Sequence, residues 1–398
     1  MKRRTFLLRS LAAAAGAVAV PTIEIAQVRG PGQKAIIVGA GLSGLVAAYE
    51  LDKRGYDVRV LEAQSHVGGR VLTLREFSEG LHAEAGAARI PADHDLTHKY
   101  VKEFNLPLAP FYPTDGKFLR VRGQQVEEVG WDKFKDATSI VMGLGESGRW
   151  QKIRGGNDQL PKAFADKLAG KINYNSPVAG IRHDLNNITV VFKGRSGIEN
   201  ISGDLLVCAI PFTMLRRIEF SPALRSDKMD AIRNMDYDTA SRVFIETRRR
   251  FWIDKGQNGF AFGEDAAEIW NSTFGQSGTR GIMQTYLRGG YSRALTRLSE
   301  SDRITATVEK LTKLYPETGQ NLIKGVSKCW SEDPWVEGAW ASPDRDAVTI
   351  GKRPEGRIFF AGEHLSSHGS WMQGALESGL DVVQQILSMP ARSNRAAQ

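Results

Sequence analysis

The clearest hydrophobic patterning lies between residues 34 and 62. Lys34-Ala-Ile-Ile-Val38 is a short apolar run rich in β-branched residues, the pattern of a buried strand. Leu45 to Arg54 carries helical spacing, Gly55 stops it, and Asp57-Val-Arg-Val-Leu-Glu62 reads as a second strand. Near the other end, Gly356-Arg-Ile-Phe-Phe-Ala361 is a strand running into a turn, and Trp371-Met372-Gln-Gly374-Ala375 opens a helix. Between these lie further strands, such as Arg242 to Glu246 and Gly281 to Tyr286, alternating with helical runs. The pattern is α/β.

At 398 residues the chain exceeds the ~250–300 residues at which one core stops growing, which predicts two domains. The first residues add an address. Lys2-Arg3-Arg4-Thr5-Phe6-Leu7 precedes a weakly apolar run, Leu11 to Val20, and Ala17-Val18-Ala19 offers a small-residue cleavage site. This is the layout of a twin-arginine export signal, predicted over residues 1–26, and it implies a periplasmic or secreted protein exported folded. The run is about half of a ~20-residue span, so a stable membrane anchor is disfavoured, and no other segment is long and apolar enough.

Without residues 1–26 the formal charge falls from +8 to +5. That modest surplus suits an acidic substrate or surface and does not call for nucleic acid. Cys208 and Cys329 sit in apolar stretches and read as buried free thiols. His94 and His98 have helical i,i+4 spacing, but no third ligand is evident nearby, so no metal site is predicted.

The turn after the first strand carries the chemistry. Gly39-Ala-Gly41-Leu-Ser43-Gly44 stands between strand and helix, the context in which GxGxxG binds a dinucleotide. Gly39 permits the tight turn, Gly41 lets a pyrophosphate approach the backbone, and Gly44 lets helix and strand pack closely. The phosphates then meet the free N–H groups of a helix N-terminus. Glu62, at the end of the second strand, is placed to accept from ribose hydroxyls and would repel a 2′-phosphate. FAD and NAD stay open on this unit alone.

Glu62-Ala-Gln-Ser-His-Val-Gly68-Gly69-Arg70-Val-Leu-Thr73 resembles the extension that follows the ribose-binding acid in the flavin amine oxidase family. Ala361-Gly362-Glu363-His364 with Trp371-Met372 resembles that family's closing FAD motif, and Ile153 to Pro161 and Asp204 to Pro211 match further segments. The resemblance runs from about residue 33 to 388. It implies a Rossmann-like FAD-binding domain of discontinuous segments (27–92, 148–214 and 345–392) and a second, α+β substrate-binding domain (93–147 and 215–344). It also implies that Gly69 and Arg70 approach FAD near the pyrophosphate, Val178 contacts the adenine end, Glu363 bonds the ribityl or phosphate region, and the Met372 backbone meets the flavin. Ala339 stands where monoamine oxidases carry a flavin-tethered cysteine, so the FAD is expected to be non-covalent.

On the substrate side, Ala83 to Pro91 with His94 beyond resembles the L-amino acid oxidase version of the family. There the arginine matching Arg89 holds the substrate carboxylate, a task for which a guanidinium fork is suited. A structural pair with Glu84 is the other reading. Trp340 and Trp371 match the two aromatic positions that flank the amine. Trp335 stands where a Tyr often helps to bind the carboxylate, and an indole donates only from its ring nitrogen. Arg242 replaces a lysine implicated in oxygen reactivity, which leaves dioxygen or another electron acceptor open. Only about forty residues separate Pro107 from Trp150, where longer members insert a helical lid.

The expected reaction is oxidation of a carbon–nitrogen bond in a small amine or amino acid by hydride transfer to flavin N5. Three readings follow: an L-amino acid oxidase or dehydrogenase, an amine or polyamine oxidase, or a weakly active flavin-bearing subunit beside a partner.

Overall fold

The computed structural model describes residues 32–142, 149–263 and 268–389; the expected export signal lies outside them. Strand β1 (Lys34–Val38), helix α1 (Leu42–Asp52) and strand β2 (Asp57–Leu61) form where the patterning places them. β1 and β2 are central in a five-stranded parallel sheet whose order is Ile358–Phe360, Leu205–Cys208, β1, β2, Ile172–Asn173.

The continuous apolar runs have a simple cause. Successive side chains of a strand point to opposite faces, and both faces of this sheet are covered. Ala35 and Ile37 enter one core with Val58, Val60, Leu205 and Val207, while Ile36 and Val38 enter another with Leu206, Cys208 and Phe360. The first core is closed by α1 and the C-terminal helix, Met372–Leu387. Gly379 of that helix lies against α1 so closely that a Cβ would stand 2.4 Å from the Ser43 carbonyl oxygen.

A second, seven-stranded sheet is mixed. Its order is Leu322–Cys329, Ala240–Thr247, Gly281–Arg288, Glu268–Asn271, Gln257–Gly263, Lys117–Arg122, Gln125–Val129. All neighbours are antiparallel except Gln257–Gly263 with Lys117–Arg122. Ala240–Thr247 lies inside the sheet and is buried along its whole length.

A four-stranded sheet (Gly197–Gly203, Ile188–Gly194, Val178–His183, Glu219–Ser221) flanks the parallel one. Its last strand pairs with Val178–His183 in register Gly180↔Glu219, so this sheet runs across the 214/215 boundary drawn from the sequence. Cys208 and Cys329 are both buried and free, on different sheets. Among the described residues no helix is long and apolar enough to cross a membrane.

Candidate active site

One continuous cavity lies between the parallel sheet and the seven-stranded sheet. Every site residue singled out in the sequence lines it except Gly44. At the nucleotide end are Gly39, Gly41, Ser43, Glu62, Gly69, Arg70, Val178, Gly362 and Glu363; at the other are Met372, Arg89, Arg242, Trp340 and Trp371.

The glycines divide by task. Gly39 has φ +102°, and a Cβ there would meet the Ala209 carbonyl oxygen at 2.8 Å. At Gly44 it would stand 2.0 Å from the Gly39 carbonyl oxygen, so this glycine serves helix–strand packing and faces no ligand. At Gly41 it would meet nothing within 4 Å. Its absence leaves open space in the cavity wall at the N-terminus of α1, a cradle that a dinucleotide pyrophosphate fits. The C-terminal helix also begins on the cavity, at Trp371 and Met372.

Two buried carboxylates shape the cradle. Glu62 Oε2 accepts from the Ala40 N–H at 2.7 Å and Oε1 from the Gln64 N–H at 2.8 Å. Burial raises its pKa, against those two bonds. A carboxylate has about four acceptor positions, so Glu62, which lines the cavity, keeps capacity to accept from a ligand. Glu363 is more fully engaged. Oε1 accepts from Arg70 Nη1 at 2.7 Å and the Ala341 N–H at 3.2 Å, and Oε2 from the Ser370 N–H at 2.7 Å. Burial works against its charge, yet Arg70 and these donors hold its pKa below the ordinary range. Arg70 Nη1 also donates to the Ala339 carbonyl at 3.0 Å. This pair therefore clamps the wall of the cavity, in addition to lining it. His364, fully buried beside Phe212, has neither ring nitrogen partnered, and burial lowers its pKa to about 4.

The opposite end is built by sheet register. Arg242 pairs with Tyr286, and Tyr286 with Glu268, so the three stand in one row across adjacent strands and share a face. Arg288 and Ala240 form the next pair on that face. Arg89 enters from the loop after Ala83–Glu84 and lies between aromatic rings, 4.8 Å from the Trp150 centroid and 4.9 Å from that of Trp270. Its partner is not Glu84. Arg89 Nη1 bonds Glu268 Oε2 at 3.1 Å, and the same oxygen accepts from Trp270 Nε1 at 2.9 Å. Burial opposes the Arg89 charge, but Glu268, Tyr112 and Tyr286 raise its pKa overall.

Arg242 donates to the Glu84 carbonyl at 2.5 Å and lies 4.6 Å from the Tyr286 ring centroid. Burial lowers its pKa. Trp371 is held edge-to-face by His94 at 4.9 Å; that ring has its pKa lowered to about 4 by burial. His98 Nε2 instead bonds the Pro91 carbonyl. Trp335 stands at the open edge of the cavity, its backbone N–H on Asp333. Ala339 lines the cavity, and neither cysteine does.

The sequence reading missed Glu268, Tyr286 and Arg288. A signal existed in the alternation Glu268-Ile269-Trp270, which turns an acid to the same face as a large aromatic residue. Glu84 is a further buried acid. Its Oε1 accepts from the Asn157 N–H at 2.8 Å and its Oε2 from Thr73 at 2.9 Å, and burial raises its pKa to about 7.

A family model described as flavin containing amine oxidoreductase matches residues 42–139 and 130–387. The flavin-dependent L-tryptophan oxidase RebO of Lentzea aerocolonigenes is 27% identical, over 89% of this chain and 98% of its own. The L-amino-acid oxidase of Siganus canaliculatus is 27% identical, over 88% and 84%. Among solved structures, cyclohexylamine oxidase from Brevibacterium oxydans IH-35A has the same fold, with a TM-score of 0.79 at 18% identity over 90% of this chain and 99% of that one.

Two outcomes follow from the cradle and from Glu84. Gly41→Val should leave the melting temperature of the apoprotein unchanged yet yield protein without visible flavin absorbance, whereas Gly44→Val should fail to fold. A Gly41→Val protein that retains flavin would show that the cradle is not the phosphate site. The raised Glu84 pKa gives folding stability that is complete below the ordinary pKa of 4.5 and lost as pH climbs through about 7. The loss is on the order of 3 kcal/mol. Glu84→Gln, which can still accept from Asn157 and donate to Thr73, should lack this dependence. Thermal melts of both proteins between pH 5 and 8 measure it, and parallel curves would rule it out.

Proposed function

Because the chain belongs to the flavin containing amine oxidoreductase family, we propose that it oxidises an L-amino acid, removing the α-hydrogen with two electrons from the neutral amine and leaving an iminium ion (the protonated imine) that water hydrolyses to a keto acid and ammonium. A flavin in a dinucleotide cradle is FAD. When bound, it supplies the acceptor for the hydrogen and its electron pair. No cysteine lines the cavity among the described residues, which supports non-covalent attachment.

The protein's own groups do the rest. Trp340 and Trp371 present aromatic faces that exclude water and orient the amine, with His94 fixing Trp371. Arg89, Arg242 and Arg288 form a cationic wall at this end of the cavity. Nearby positive charge disfavours an ammonium, so the wall favours the neutral amine that oxidation requires. The same wall attracts a carboxylate. That is the observation carrying the amino acid reading, since an amine has no group for it. Relatives named as L-amino-acid oxidases support it. One observation favours an amine substrate instead: Arg89 already has a carboxylate partner in Glu268.

Anaerobic mixing tests the reading. L-amino acids should bleach the oxidised flavin absorbance and their decarboxylated amines should not; bleaching by amines alone would overturn it. Admitting air then reports whether dioxygen is the acceptor. Arg89→Met alone leaves buried Glu268 with Trp270 and Arg288 but without its nearest cation, and should cost on the order of 3 kcal/mol. Arg89→Met with Glu268→Gln should recover most of that stability but lose the discrimination between amino acid and amine.

The Lys2-Arg3-Arg4 leader supports export of the folded, flavin-loaded protein to the periplasm. Replacing Arg3 and Arg4 by Lys should then leave holoprotein in the cytosol on fractionation, and unchanged periplasmic yield would refute this address.

A further inference from the structure

We propose that Gln373 is a positioning residue for the oxidation: by capping the helix Asp95–Glu103 it holds His94 against Trp371, and so fixes the indole that orients the substrate amine. This deepens the reading above, in which Trp371 has that task, and rests on it.

The helix Asp95–Glu103 has no cap of its own. His94 stands at its N-cap position, where the side chain makes no capping hydrogen bond, although a helix start leaves N–H groups that need acceptors. The acceptor comes from far along the chain. Gln373 Oε1 accepts from the Leu96 and Thr97 N–H groups, each at 3.1 Å, and from the Thr97 hydroxyl at 3.4 Å. Gln373 is buried, and it is the second residue of the C-terminal helix. Its Nε2 is engaged as well, donating to Asp95 Oδ1 at 2.6 Å and to Glu377 Oε1 at 3.2 Å. Donors thus meet its oxygen and carboxylates meet its nitrogen. An amide satisfies both sides, whereas a carboxylate would turn one oxygen on two other carboxylates.

The cap decides what position 94 can hold. A residue that caps its own helix is usually Ser, Thr, Asp or Asn, none of which carries a ring. With the cap supplied by Gln373, position 94 holds a buried imidazole that meets Trp371 edge-to-face at 4.9 Å. Trp371 is the N-cap residue of the C-terminal helix, two positions before Gln373. The contacts therefore close a ring: Trp371 to His94, His94 through the first turn of its helix to Gln373, and Gln373 back along the backbone to Trp371. Trp371 and Met372 both line the cavity. A loosened indole would leave the substrate bound yet misaligned, which lowers the limiting rate more than the affinity.

Three variants test this: Gln373→Leu removes the cap, Gln373→Glu keeps an acceptor for the helix but opposes Asp95 and Glu377, and His94→Leu leaves the cap intact. In flavin-loaded protein with isotope-labelled tryptophan, the Trp371 indole N–H resonance is assigned by its loss in Trp371→Phe. It should shift in both Gln373 variants while the other indole resonances stay. Anaerobic flavin reduction by an L-amino acid should fall about ten-fold in limiting rate in all three, with KM little changed and the visible flavin spectrum normal. Added to Trp371→Phe, the same changes should cost little more, because they act through that indole. An unmoved Trp371 resonance, or equal losses with and without the indole, would overturn the proposal. So would a His94→Leu protein that reduces at the wild-type rate, however the Gln373 variants fold. Reduction by amines and not by amino acids would overturn the amino acid reading alone, and the same comparison then runs on the amine.

Discussion

Glu268 is the constraint on which one half of this molecule depends. It is a buried acid at the centre of a sheet, and it can be there only because Arg89, Trp270 and Arg288 converge on it. Those partners come from a loop in the first hundred residues, from its own strand and from the neighbouring strand. The register that pairs Glu268 with Tyr286 and Tyr286 with Arg242 is therefore also the register that assembles the cationic wall. A slip of one residue in either pairing would turn the slipped strand's side chains out of this row to the opposite face, on which the Val243 and Met283 core packs.

The other half turns on Glu363. Its three donors belong to separate segments: Arg70 after the dinucleotide motif, the Ala341 backbone in the short strand Trp340–Ala341, and the Ser370 backbone just ahead of the C-terminal helix. One carboxylate thus sets the distance between the nucleotide cradle and the helix whose N-terminus opens on the far end of the cavity. The family resemblance assigns this acid to the cofactor. The geometry gives it an internal duty as well, since both oxygens already accept hydrogen bonds within the protein.

What was legible in the sequence follows from range. β1, α1 and β2 are local, and the two-sided burial of the sheet writes itself into continuous apolar runs. The cofactor motifs are legible because each is a short segment with fixed internal spacing, and the fold gathers all but Gly44 onto one cavity. Gly44 is the instructive case, since its pattern marks helix packing and not ligand contact. The wall beyond was only half legible. Arg89 and Arg242 were visible through resemblance, but the Arg89 partner lies 179 residues away. Spacing suggested Glu84, which is close in sequence and points elsewhere. Which polar atoms a fold consumes internally depends on long-range register, and no local pattern carries that.

The same register explains why arginine suits position 242. Its planar guanidinium lies over Tyr286 and near Trp270 while still donating to the Glu84 carbonyl. A lysine ammonium is a compact, strongly hydrated charge that cannot spread across two rings in this way, and it shifts its pKa readily when buried. Burial already presses the Arg242 pKa downwards, and a lysine there would surrender its proton sooner. Arginine keeps the positive charge fixed where the wall needs it. On the proposed reading, that permanence has a chemical consequence. A wall that cannot discharge keeps disfavouring the ammonium form of the substrate at every working pH, and it accepts only molecules that bring their own negative charge. The demand for a neutral amine and the demand for an anionic substrate are then two effects of one cluster of arginines.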